Sequence, residues 1–183
     1  RKMRRGELLL IDAGAEVDGY TADITRTFPV DGQFTPEQKA VYQVVLRAQK
    51  AAIAKATVGR KGDEIHKTAI RELTKGMVQL GALKGDPKKL IEKGQYKHFY
   101  MHGTSHWLGL DVHDQGAYTQ AGETRPLNPG MVLTVEPGIY IDPENMDVDA
   151  KWRGIGVRIE DDILVTEEGH ENLTAAIPKT VAE

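Results

Sequence analysis

Asp12, Asp23, Glu136 and Glu160 are carboxylates set in sequence that otherwise wants a core: LLLIDAG, ADITRTF, LTVEPG and VRIEDD. A carboxylate buried in such a place is costly unless it is paired, hydrogen-bonded or metal-bound. With His106 they make five groups of the kind that hard or borderline divalent cations prefer. Four carboxylates around one imidazole most simply hold two divalent cations that share a bridging oxygen. That is the chemistry of a metallohydrolase.

His98, His102, His106 and His113 fall close together in the chain. The first three are spaced i, i+4, but Gly103 and the β-prone Phe99 and Tyr100 argue against a helix there. No glutamate follows any of them in the HExxH manner. They are expected on strands and turns, one as a ligand and several facing a substrate. His66, on a helix beside a lysine, and His170, in EEGHEN, read as ordinary surface or hydrogen-bonded histidines. The acidic run Asp142 to Asp149 lacks the glycine and terminal glutamate of a calcium loop and reads as a solvated turn. Ser105 has no nucleophile-elbow context, and phosphate-binding glycine loops are absent.

The elements that must hold these groups follow from periodicity. Glu7 to Ala13 and Thr21 to Val30 alternate as strands around the turn residues GAEVDGY, predicting a hairpin in which Asp12 and Asp23 meet. Thr35-Pro36-Glu37-Gln38 is a capping box with proline at the first helical position. The helix that it opens buries Val41, Val44, Val45, Ala48 and Ala52, with Gly59 at its end. A second helix, Asp63 to Leu80, buries Ile65, Ala69, Leu73, Met77 and Leu80 and stops at Gly81. A short helical turn is expected over 87–93. From Tyr96 the period shortens to two, predicting strands at 96–101, 107–113, 131–141 and 154–165. On the last strand Arg158 shares a face with Glu160, while Asp161 points the other way. The order implies an α+β fold with helices covering a sheet. Each half offers a strand pair with two acids, Asp12 with Asp23 and Glu136 with Glu160.

A chain of 183 residues with formal net charge −3 fits one domain and gives no reason to expect nucleic acid. There are no cysteines, which excludes disulfides and thiol catalysis and favours an intracellular, cytoplasmic setting. No apolar run approaches membrane-spanning length.

The segments IDAGAEVDGYTADITRTF, MHGTSHWLGLDVHD, LTVEPGIYI and GIGVRIEDDILVT resemble the signatures of the Xaa-Pro aminopeptidases, or aminopeptidase P. These belong to the pita-bread metallopeptidases, together with methionine aminopeptidases and prolidases. The resemblance runs from about residue 7 to 174. It implies a pita-bread fold, a curved antiparallel sheet covered by helices with a pseudo-two-fold repeat, and one catalytic domain over 1–183. It implies that Asp12 binds one metal, that Asp23 and Glu160 bridge both, and that His106 and Glu136 complete the other. The usual metal of the family is manganese; cobalt, iron or zinc suit the same donors. His102 and His113 match histidines that face the substrate, and Arg158 matches an arginine behind the ligands.

The expected reaction is attack of a metal-bridging hydroxide on the first peptide carbonyl, with Glu136 relaying the proton and His113 stabilising the oxyanion. The expected substrate is a peptide with proline second; His102, Tyr118 and Trp107 are candidates for a slot that takes the ring. The alternatives are a prolidase, or a non-catalytic binding module of the same fold. Family members carry a preceding N-terminal domain and further N-terminal catalytic elements. The chain is therefore expected to be N-terminally incomplete, completed by another segment or chain, and homo-oligomeric.

Overall fold

The computed structural model describes residues 1–181. β1 (Leu8–Ala13) leads through two short strands, β2 (Glu16–Val17) and β3 (Tyr20–Thr21), into β4 (Ile24–Pro29). β1 and β4 pair antiparallel, with Asp12 opposite Thr25. The strand expected over Thr21 to Val30 is thus broken at Ala22-Asp23, where the chain passes close to Gly14. A Cβ on Gly14 would lie 1.6 Å from the Ala22 carbonyl oxygen, a distance that no side chain permits. Asp23 therefore stands just past the ladder, beside Asp12 rather than opposite it.

α1 (Pro36–Ile53) opens on the expected box: Thr35 accepts the Gln38 N–H, and the Gln38 side chain accepts that of Thr35. It ends before Gly59, because the Lys55 and Ala56 N–H groups bond three residues back and tighten the last turn. α2 (Asp63–Leu80) stops at Gly81, whose φ of 76° is left-handed. The two helices cross where Gly76 meets Val44; an added Cβ would come within 2.2 Å of a Val44 methyl. α3 (Pro87–Glu92) follows, capped by Asp86.

The strand expected at 96–101 is instead a 3-10 turn over Gln95–His98, entered through Gly94 at φ 66°. Phe99 and Tyr100 are both buried, so they fill the core as neighbours and do not alternate across a sheet. The strand expected at 107–113 is also absent. Its apolar residues Leu110 and Val112 are exposed, and only Thr104 to Leu108 runs alongside another strand.

β5 (Thr119–Gln120) and β6 (Glu123–Thr124) form a small hairpin. The segment 131–141 divides into β7 (Val132–Val135) and β8 (Gly138–Tyr140), and 154–165 divides into β9 (Gly156–Arg158) and β10 (Asp161–Thr166). β8 pairs with β9, and β7 pairs with β10, which also pairs with β11 (Gly169–Asn172). All the pairings are antiparallel. The breaks fall at Glu136-Pro137 and Ile159-Glu160. Pro137 has no N–H for a ladder, and the Glu160 N–H leaves its partner strand to bond the Thr25 carbonyl on β4 at 3.1 Å. The two acid-bearing strand pairs join there.

Val41, Val45, Ala48, Leu73 and Met77 from the helices pack on Ile139, Val157 and Ile159, and Ile65, Ala69 and Leu127 pack on Leu133, Val135 and Ile163. Each fully buried large aliphatic contributes about 1.5–3 kcal/mol. No helix among the described residues is long and apolar enough to cross a membrane.

Candidate metal centre

Asp12 ends β1, Asp23 precedes β4, and Glu136 and Glu160 occupy the two strand breaks. His106 reaches them from the segment beside β7. The Thr104 and His106 carbonyls of that segment accept the Glu136 and Thr134 N–H groups, and its Leu108 N–H donates to the Val132 carbonyl on β7. This ragged edge pairing fixes His106 next to Glu136. Ligand atoms of Asp12, Asp23 and Glu160 lie within 4.8 Å of one another, as do those of His106, Glu136 and Glu160. The five groups singled out in the sequence are thus brought together. His113 stands equally near Asp23 and His106, its ring edge-on to His106 with centroids 4.3 Å apart.

The surroundings orient these groups. His106 Nδ1 faces the Trp107 carbonyl at 3.0 Å, which leaves Nε2 toward Asp23 Oδ2 at 3.3 Å and Glu136 Oε1 at 3.5 Å. A histidine that donates one ring nitrogen to a backbone carbonyl offers the other to a metal. Thr25 donates to Glu160 Oε2 at 2.5 Å. Arg158 donates to Asp12, to the Thr25 hydroxyl at 3.0 Å and to the Tyr140 hydroxyl at 3.2 Å. Tyr140 in turn meets His102 Nε2 at 2.7 Å. Alternation along the sequence places Thr25 on the face of Asp23, whereas nothing in the periodicity marks Tyr140, which lies on β8 past the Glu136-Pro137 break.

Asp12, His102, Gly103, Ser105, His106, His113, Glu136 and Arg158 wall a cleft of about 350 Å³. Tyr118 is not a wall of it; its ring stacks on Trp107 with centroids 5.3 Å apart, and its hydroxyl accepts the Trp107 N–H. His98 and His170 are exposed and fall in none of these ligand groups. Asp161 points away, as alternation predicts, into a separate ion-pair cluster.

Four carboxylates here face one fixed cation, Arg158, and the imidazole of His106. The donor set fits divalent cations bound mainly through oxygen. Burial first, then the charges of Asp23 and Asp12, pushes Glu136 up to about 7. Burial, with Glu136, Asp23 and Asp12 as neighbours, pushes Glu160 up to about 9. Asp23 and Glu136 outweigh burial at His106 and raise it to about 9. Without a cation Glu160 and His106 therefore carry protons at neutral pH and Glu136 divides between its two forms, so a cation must displace protons. Binding of a divalent cation at neutral pH is accordingly expected to release protons, and affinity to climb as pH rises through about 7 toward about 9. Calorimetry in buffers of different ionisation heat measures this; uptake without proton release would contradict it.

The model of metallopeptidase family M24 matches residues 1–167. Over its whole length the chain is 53% identical to the Xaa-Pro aminopeptidase of Haemophilus influenzae and 51% identical to that of Escherichia coli, covering 42% and 41% of those proteins. All of it superposes on Pseudomonas aeruginosa aminopeptidase PepP with a TM-score of 0.99 at 56% identity. It superposes on a zinc-substituted E. coli aminopeptidase P in complex with product at 0.95 and 50% identity, spanning 41% of each of those two chains. The expected pita-bread architecture is the one found. The chain spans about two fifths of the length of these relatives.

Proposed function

Because the chain belongs to metallopeptidase family M24, we propose that it serves the hydrolysis of the bond between an N-terminal residue and a following proline. The observation that carries this reading is that Asp12, Asp23, His106, Glu136 and Glu160 fall in overlapping ligand groups, beside a cleft that Asp12, His106 and Glu136 wall, in a chain about half identical to Xaa-Pro aminopeptidases.

Those five residues would hold divalent cations, manganese first among them. Divalent cations, once bound, would supply Lewis acidity toward water and the scissile carbonyl. Glu136 accepts the proton of the attacking water and returns it to the departing nitrogen. His113, exposed at the cleft mouth, donates to the carbonyl oxygen as negative charge develops on it. An Xaa-Pro bond is a tertiary amide without an N–H, so the cleft needs no acceptor at that nitrogen. His102, held by Tyr140 and by the Gly103 carbonyl at 2.7 Å, presents a fixed ring to the proline. Residues 1–183 act as one catalytic domain in this scheme.

The test is cleavage of a short peptide with proline second, after chelation and with manganese restored. A longer Xaa-Pro peptide should be cut; cleavage of the Xaa-Pro dipeptide alone would make the protein a prolidase. Metal analysis separates both from a binding module. Arg158 ties Asp12 to Thr25 and Tyr140 without itself offering a metal donor. Arg158→Ala is expected to lower kcat/KM by about 10–100-fold while most of the metal stays bound. Equal collapse of metal content and activity would assign Arg158 to holding the cations.

A further inference from the structure

Behind the segment that carries His102 and His106, the side chains of His66 on α2 and of Tyr100 meet at the Thr104 hydroxyl. Thr104 Oγ1 lies 2.6 Å from the Tyr100 hydroxyl and 2.7 Å from His66 Nδ1 on α2. Tyr100 and Thr104 are each only 1% exposed. Two hydroxyl protons must therefore be placed without help from solvent. If His66 donated from Nδ1, either the Tyr100 or the Thr104 proton would lack an acceptor among the described residues. A single ordering uses both: Tyr100 donates to Thr104, and Thr104 donates to a bare His66 Nδ1. Burial, then the nearby His102 and Lys97, holds the imidazole below its ordinary value, consistent with a neutral ring.

The same threonine faces the centre through its backbone. Its carbonyl accepts the Glu136 N–H at 2.8 Å, and the His106 carbonyl two residues on accepts the Thr134 N–H at 3.0 Å. Thr104 is thus where α2 is tied to the edge pairing that sets His106 against Glu136. We propose that His66 is a positioning residue, its Nδ1 accepting the Thr104 hydroxyl so that the Tyr100–Thr104–His66 chain locks the His106 segment onto Glu136. The Nε2–H then points away from Thr104, and His66 also walls a cavity of about 240 Å³, which Gly103 and Ser105 separate from the metal cleft.

The tautomer part stands independently; the positioning part rests on the metal reading above. Long-range proton–nitrogen NMR correlations on the unaltered chain, with His66→Gln to assign the signal, should show His66 protonated at Nε2 and bare at Nδ1. A proton on Nδ1 overturns the proposal. Thr104→Val removes the hydroxyl at nearly constant shape. It should weaken manganese binding, followed by paramagnetic resonance titration, by about tenfold or more, and Thr104→Ser should return it to within about twofold of the original. Unchanged affinity in Thr104→Val, or no rescue by serine, overturns the positioning role. If the unaltered chain binds no manganese, the metal reading fails, and the NMR result alone decides the hydrogen-bond chain.

Discussion

Glu136→Ala is expected to abolish turnover, with kcat lower by about 10³-fold or more. Glu136 is asked for two things at once. It supplies an oxygen next to His106 Nε2 at 3.5 Å, within the ligand group that includes Glu160, and in the proposed mechanism it carries a proton between water and leaving nitrogen. Metal activation of the water and carbonyl supplies several kcal/mol, and each 1.36 kcal/mol is a factor of ten in rate. Losing even part of that, together with the proton carrier, accounts for three decades. Glu136→Gln separates the two roles. The amide keeps an oxygen donor but cannot take a proton at neutral pH, so it should retain more metal than alanine and remain nearly inactive. Steady-state kinetics beside metal analysis of both variants measures this. Full activity in Glu136→Ala would remove the residue from the mechanism, whatever its position.

The groups that could do chemistry were legible because burying charge is expensive. A lone acid within LTVEPG or VRIEDD needs a partner, and that need is visible without a fold. Both helices were legible for a similar reason: the Thr35 box and the Gly81 stop are local. What was not legible is where the strands break. Period-two alternation runs straight through Glu136-Pro137 and Ile159-Glu160, yet the chain changes ladders at both points. Those changes depend on β4 being close enough for the Thr25 carbonyl to take the Glu160 N–H, a contact between residues far apart in the chain. The segment after Tyr96 failed differently. Phe99 and Tyr100 have strand-like side chains, but tertiary burial of both overrides that preference. The Thr104 junction was invisible for the same reason, since nothing near His66 in sequence names its partner.

The largest expected effect on stability belongs to Asp161, the neighbour of Glu160 that faces the other way. Its side chain is fully buried and receives Arg26 at 2.8 Å, Gln49 at 2.7 Å, Asn172 and Thr174 each at 2.9 Å, and Lys179. Lys179 and Gln49, with Arg26, outweigh burial and hold the carboxyl at about 2, below its ordinary 3.8. A depressed carboxylate stabilises the fold above its ordinary value. That contribution fades as pH falls through 3.8 toward about 2. Asp161→Ala leaves the Arg26 guanidinium, itself 6% exposed, without its carboxylate. Breaking a buried pair from one side costs about 3–5 kcal/mol, a large share of the roughly 5–15 kcal/mol that holds a domain together. For a domain of this size that is a fall in Tm of roughly 6–20 °C, read by calorimetry or circular dichroism. Arg26 also donates to the Glu160 carbonyl at 2.6 Å, so unfolding and loss of the metal centre should proceed as one transition. Replacing Arg26 and Asp161 together, Arg26→Met with Asp161→Leu, removes the stranded guanidinium and should cost less than the two single changes added together. If Asp161→Ala melts within a degree or two of the unaltered chain, the cluster is not what secures the strand pair to the helices, and fold and centre are not coupled through Arg26.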